Sequence, residues 1–297
     1  MYSVFFFIYN KVMEIIKASV LGFCFGVRRA VELAEKALAD YPDKAVYSLG
    51  PLIHNETALK ELEKKGLKIA DENCIGLIPE GSVVVIRAHG VPLSVIGQLK
   101  DKKAIIIEAT CPRVKASQKM VARCSHKDEA VILTGDKNHG EVKGIAGYAS
   151  DNFILIENVT DAEKLNIDYK NYNKVILLSQ TTFSPKEFSE IECILKSKIR
   201  NLTVMNTICP ATNERQQALT DLCSKVDGVL VIGGKFSSNT IRLYQTAISS
   251  CKHAAHIQGA GDIPEEFFNM KTIGITAGAS TPDEIITEVE EALKGCL

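Results

Sequence analysis

The sequence predicts an α/β protein built from three small, similar units with mainly parallel sheets. Three observations predict it. Apolar runs bounded by glycine alternate with amphipathic segments along the chain, the strand–helix alternation of parallel α/β folds. Three of these strands run into a cysteine and then directly into a helix, at Cys24, Cys111 and Cys209. Polar residues recur at matched distances downstream of each cysteine.

The elements follow in order. MEIIKASVLGFC, opening at Met13, reads as the first strand. Residues 1–12 hold an apolar core of only about eight residues, with no basic leader and no small-residue cleavage site, so they fit neither a signal peptide nor a membrane span. They are expected to be an extension outside the core. Arg28–Asp40 is an amphipathic helix after Cys24. AVYSLGP and SVVVIRAHG are near-continuous apolar runs, as strands covered on both faces require. AIIIEATCP leads into Cys111 and the helix Val114–Ser125. AVILTGD and KVILLSQTT are further strands, and TVMNTICP leads into Cys209 and the helix Asn213–Lys225. GVLVIGG and TIGITAGAS complete the set. The expected division is 13–110, 111–203 and 204–297.

The repeat is carried by offsets. The three cysteines lie 87 (111 − 24) and 98 (209 − 111) residues apart. From each cysteine, His54, His139 and Ser237 lie 30, 28 and 28 residues on, and His89, Thr181 and Ser280 lie 65, 70 and 71 residues on. Glu141, Ser238 and Asn239 adjoin these positions. All fall at the carboxyl ends of strands, where open parallel sheets bind ligands. Three units with their strand ends turned inward, a trefoil around a central cleft, is the expected architecture.

Composition narrows the chemistry. A net charge of −1, no basic run and no Trp give nucleic acid or an anionic membrane nothing to grip. Nine dispersed cysteines without a C-x-x-C speak for a reduced, cytoplasmic protein rather than a disulfide framework. Three converged thiolates leave one ligand position open. That suits zinc, or a [4Fe–4S] cluster in which one iron lacks a protein ligand. Iron is favoured, because no closely spaced Cys pair or adjacent His supports zinc. Cys74, Cys124, Cys193, Cys223, Cys251 and Cys296 are read as small buried hydrophobes, and His126, His253 and His256 as ordinary loop residues. Imidazoles, hydroxyls and amides beside helix N-termini make a phosphate site. Without a Walker loop, the ligand is a small phosphate ester or a diphosphate. Glu141 is either a proton donor held protonated by nearby negative charge or a first-turn glutamate facing a helix dipole. Gly22 and Gly26 are expected to let the backbone turn and approach a ligand, and Phe23 and Phe25 to screen it from water.

GFCFGV, HN, AHG, ATCP, NHGEV, SQTT, CPATNERQ, SSN and TAGAS, in this order from about Met13 onward, resemble the 4-hydroxy-3-methylbut-2-enyl diphosphate reductase family of the non-mevalonate isoprenoid pathway. The resemblance implies a trefoil of three α/β domains around a [4Fe–4S] cluster held by Cys24, Cys111 and Cys209. It implies a diphosphate pocket of His54, His89, His139, Ser237, Ser238, Asn239 and Ser280. Glu141 would be the proton source and Thr181 its partner near the substrate hydroxyl. The reaction implied is reductive removal of that hydroxyl, giving isopentenyl and dimethylallyl diphosphate. Electrons would come from an external donor of ferredoxin or flavodoxin type, since no flavin or nicotinamide fingerprint is present. Two rival readings remain: a zinc enzyme with a three-thiolate site acting on a small phosphate ester, and a non-catalytic redox or diphosphate-binding protein.

Overall fold

Short runs of Val, Ile and Leu form the strands. In the computed structural model, which describes residues 13–124, 128–166 and 172–295, these are β1 (Glu14–Lys17), β2 (Val46–Leu49), β3 (Leu67–Ala70), β4 (Val83–Ile86), β5 (Ile105–Glu108), β6 (Glu129–Thr134), β7 (Phe153–Ile156), β8 (Lys174–Ser179), β9 (Leu202–Val204), β10 (Gly228–Ile232), β11 (His253–Ile257) and β12 (Thr272–Ala277). Between them run α1 (Phe25–Asp40), α2 (Glu56–Lys64), α3 (Leu93–Asp101), α4 (Pro112–Arg123), α5 (Gly140–Ala146), α6 (Val159–Lys164), α7 (Pro185–Lys198), α8 (Pro210–Cys223), α9 (Ser238–Ser250) and α10 (Asp283–Lys294). Residues 1–12, His126 and Cys296 lie outside the described residues.

The α/β prediction holds. The strands form three four-stranded sheets with every pair parallel. Their orders are β3-β2-β4-β5, β7-β6-β8-β9 and β11-β10-β12-β1. Each is the same arrangement, closed at one edge by the strand that runs into a cysteine. Helices cover the strands, so β4 and β10 are buried along their whole length. That burial is why their sequences read as unbroken apolar runs. Apolar clusters flank the second sheet with Phe183 and Ile191 on one side and Val114 and Leu133 on the other.

Two findings depart from expectation. First, β1 does not start a sheet of its own segment. It pairs with β12, Ile15 opposite Ile273, and Met13 is buried in a cluster with Leu230, Val289 and Leu293. A four-residue strand cannot bury Ile15 and Ile16 alone, so it completes the last sheet. The expected first segment, starting at residue 13, thus opens with a strand that pairs in the sheet of the last. By contacts, residues 24–213 form one compact unit and residues 13–23 with 214–295 another. Second, β3, β7 and β11 had no counterpart in the sequence reading. Each is an outer strand with a neighbour on one side only. Two of them, LKIA and HAAHI, have a half-polar sequence without a long apolar run. Among the described residues, no helix is long and apolar enough to cross a membrane.

Candidate active site

The unit spanning residues 24–213 holds all three repeat cysteines, the three strand-end histidines, Glu141 and Thr181. Cys24 and Cys111 occupy the residue before α1 and α4, outside the helical conformation, with ψ of 164° and 133°. Pro112 takes the first position of α4, where a missing N–H costs no hydrogen bond. Cys209 directly precedes α8. Its backbone N–H donates to the Thr181 carbonyl at 2.8 Å, and its own carbonyl accepts from Thr212 N–H at 2.8 Å. All three are free thiols.

Cys111 ties this group together. Burial pushes its thiol up, N–H groups of Arg113 and Val114 in the first turn of α4 pull it down, and Cys24 and Glu141 lie near enough to push it up again. Gly26 is the floor beneath it: a Cβ there would sit 2.6 Å from Cys111 Sγ. The expectation for the two glycines therefore divides. Gly22 does turn the backbone, with φ of 75°. Gly26 is an ordinary helical residue whose contribution is space. Phe25 is 73% exposed, so it screens nothing. An aromatic beside a cysteine suggested a cover, but the helix start turns this side chain outward.

Glu141 is 2% exposed, in the first turn of α5. Both its oxygens look across to the loop after β8: Thr181 N–H donates to Oε1 at 2.6 Å, and Thr181 Oγ donates to Oε2 at 2.7 Å. Burial pushes its pKa up to about 7 against the lowering effect of those two bonds. The cause of the rise is desolvation by the protein itself. Its backbone N–H donates to His139 Nδ1 at 3.2 Å, so the histidine caps the short helix that carries the carboxylate.

The imidazoles of His54, His89 and His139 form one cluster. Ring centroids are 4.6 Å apart for His54–His89, 5.1 Å for His89–His139 and 5.6 Å for His54–His139. Burial, then the Arg87 charge, lowers His54; burial, the other two histidines and Arg87 hold His89 well below the usual imidazole range. Both shifts favour the neutral ring, which offers an N–H donor to an anion. Their nitrogens lie within 4.8 Å of one another, which is also compact enough for a metal ion. A cavity of about 290 Å³ opens beside them, lined in part by Gly50, Glu72, Arg87 and Lys143. Arg87 was absent from the sequence reading. Its signal was a single charge inside the apolar run SVVVIRAHG.

Ser237, Ser238, Asn239 and Ser280 belong to the other unit, again at strand ends. Ser237 caps α9, its Oγ accepting from Thr240 N–H at 3.4 Å, and Ser280 Oγ donates to Ser237 Oγ at 3.5 Å. Asn239 is 6% exposed, and its amide nitrogen has no hydrogen-bond partner among the described residues. A buried donor left unmatched in this way is the pattern of a ligand contact.

The remaining cysteines and histidines differ from expectation in part. Cys223 is buried, Cys124 and Cys251 are half-buried, and Cys74 and Cys193 are exposed rather than buried, since their positions face outward from a 3₁₀ turn and from α7. His253 and His256 stand in β11 rather than in a loop, and His256 Nε2 bonds the Gly233 carbonyl at 3.0 Å.

A protein-family model described as LytB protein matches residues 15–294. The 4-hydroxy-3-methylbut-2-enyl diphosphate reductase of Treponema denticola is 44% identical over 288 residues, covering 95% of this chain and 99% of that protein. The reductase of the same name from Caldanaerobacter subterraneus subsp. tengcongensis is 41% identical over 283 residues, covering 95% and 97%. Among solved structures, the E-1-hydroxy-2-methyl-but-2-enyl-4-diphosphate reductase of Plasmodium falciparum superposes with a TM-score of 0.87 at 31% identity, covering 95% of this chain and 87% of that one. A structure of (E)-4-hydroxy-3-methyl-but-2-enyl diphosphate reductase, described as the terminal enzyme of the non-mevalonate pathway, gives 0.72 at 36% identity, covering 96% and 100%.

Proposed function

The chain belongs to the LytB family, and from that premise we propose that it reduces 4-hydroxy-3-methylbut-2-enyl diphosphate to isopentenyl and dimethylallyl diphosphate. One observation carries the reading. Cys24, Cys111, Glu141, Thr181 and Cys209 form a continuous run of neighbours within one unit, although they are spread over 185 residues (209 − 24).

The donor set fits a [4Fe–4S] cluster. Three free thiols stand directly before helix starts, and Gly26 leaves Cys111 Sγ the room a side chain would take. When bound, such a cluster supplies single electrons and a Lewis-acidic iron without a protein ligand. Everything else falls to the chain. His54, His89 and His139, with Ser237, Ser238, Asn239 and Ser280, bind the diphosphate through hydrogen-bond donors. Glu141 gives a proton to the departing hydroxyl. The Thr181 hydroxyl, which can donate or accept, holds the carboxyl in place and accepts from it when it is protonated. Electrons enter from a low-potential protein of ferredoxin or flavodoxin type. In the repeat we read three α/β segments, each closed by the strand leading into the next cysteine, and the free thiols accord with a reducing cytoplasm.

The test is Glu141→Gln in anaerobically purified protein. Iron and acid-labile sulfide per chain should match the wild type. Turnover of the hydroxylated diphosphate with a chemical reductant should fall by roughly 10²-fold or more, the usual scale for a lost general acid. Colourless wild-type protein carrying stoichiometric zinc, or a Gln variant with near-normal turnover, would overturn the assignment.

A further inference from the structure

We propose that Arg87 is the positioning residue of the histidine cluster: one buried guanidinium ties together the three segments that carry His54, His89 and His139 and sets the field in which they sit. Arg87 follows β4 and is 9% exposed. Its Nη1 donates to the Leu49 carbonyl at 3.3 Å, in the segment that leads to His54. Its Nε donates to the Gly90 carbonyl at 3.3 Å, next to His89. Its Nη2 pairs with Glu72. The same plane lies against the start of α5: a Cβ on Gly140, next to His139, would be 3.1 Å from Nη2. A Cβ on Gly50 would be 2.5 Å from Nη1. Gly50 and Gly140 thus leave room for the guanidinium, and the Gly90 carbonyl accepts from it, so three strand-end segments close on one cation.

The geometry gives Arg87 two effects. A planar, five-donor guanidinium can hold several backbone segments at fixed angles, which a lysine cannot. Its charge also opposes protonation of His54 and His89, in the direction already noted for both. The other charged groups around the cluster are Asp71 and Glu72 after β3, Glu141 and Lys143 on α5, and the imidazoles themselves. Glu72 shares Arg87's charge and softens its field. The geometry therefore holds the cluster together, and the Arg87 charge disfavours protonation of His54 and His89. An arriving anion supplies the countercharge that lets it take up protons. That last consequence rests on reading the cluster as the diphosphate pocket.

Site-resolved reaction of the histidines with diethyl pyrocarbonate, which needs neutral imidazole, tests the inference on the holoprotein without ligand. In Arg87→Met, the pH of half-maximal reaction at His54 and His89 should rise by about one unit, as for loss of a neighbouring charge. In Glu72→Gln it should fall, because the guanidinium then acts without its partner. Glu72 is 23% exposed, so this second variant keeps the test alive if Arg87→Met does not fold. Unchanged profiles, or both variants moving the same way as general loosening would move them, overturn the inference. Binding of inorganic diphosphate to the same proteins separates the two readings. It should tighten as pH falls, with the onset moving up in Arg87→Met. Reactivity shifts of the expected signs with pH-indifferent diphosphate binding would support Arg87 and remove the diphosphate role.

Discussion

Glu141 is the residue where environment most changes chemistry. A carboxyl this buried resists ionisation, and the two bonds from Thr181 only partly relieve it. With a pKa of about 7, it is near the optimum for an acid working at neutral pH. The sign of its pH dependence follows. The active form is protonated, so turnover should decline as pH rises through about 7. Thr181→Val removes the hydroxyl bond that favours the anion but keeps the backbone bond. The declining limb should therefore move to higher pH, by roughly one unit for a lost hydrogen bond to a buried charge. A pH–rate profile of the variant measures this; a limb that stays put or moves down would dissociate Thr181 from the titration. The cysteines and histidines were visible in sequence because thiols and imidazoles are sparse enough for their offsets to register. Burial was not visible. The same alphabet gives Glu141 at 2% and Phe25 at 73% exposure, and only tertiary packing decides between them.

At the level of elements, the central strands and the edge strands that lead into the cysteines announced themselves, and the opposite edge strands β3, β7 and β11 did not. β4 and β10 are apolar at every position because nothing polar could be satisfied there. β3 and β11 face solvent enough to carry Lys68 and His253. Glycines within helices are ambiguous in the same way. Gly26 in α1 and Gly97 in α3 look alike in sequence, yet a Cβ meets Cys111 Sγ at 2.6 Å in the first case and nothing within 4 Å in the second. Gly97 is also exposed. Gly97→Ala should raise stability by about 0.5–1 kcal/mol, since alanine restricts the unfolded chain and adds no strain. Urea unfolding followed by far-ultraviolet circular dichroism reads this directly; a lower midpoint at unchanged slope would mean that α3 is not a free-standing helical surface.

At the scale of the whole chain, the repeat was legible as offsets between cysteines, but its closure was not, because that depends on which sheet edge the first strand joins. β5 follows α3 after residues 102–104, β9 follows α7 after residues 199–201, and each pairs beside the strand that precedes its helix. β1 holds the same edge position beside β12, the strand that precedes α10. In a parallel sheet, a helix that follows a strand returns to the end where the next strand begins. The packing agrees: Met13 shares an apolar cluster with Leu293, and Lys17 Nζ pairs with Glu290 Oε2 at 2.8 Å. A circular permutant should therefore fold. It would join Gly295 to Met13 through a linker of about one residue, which with those two residues matches the length of the two natural connections, and open between Pro42 and Asp43, an exposed connection after α1. Each sheet would keep its strand order and each cysteine its helix. Its thermal midpoint should lie within a few degrees of the parent's, and its iron content per chain should be equal. If it stays unfolded while a control with the same linker and an uncut Pro42–Asp43 bond folds, β1 must join its sheet in an order that only the native chain ends permit.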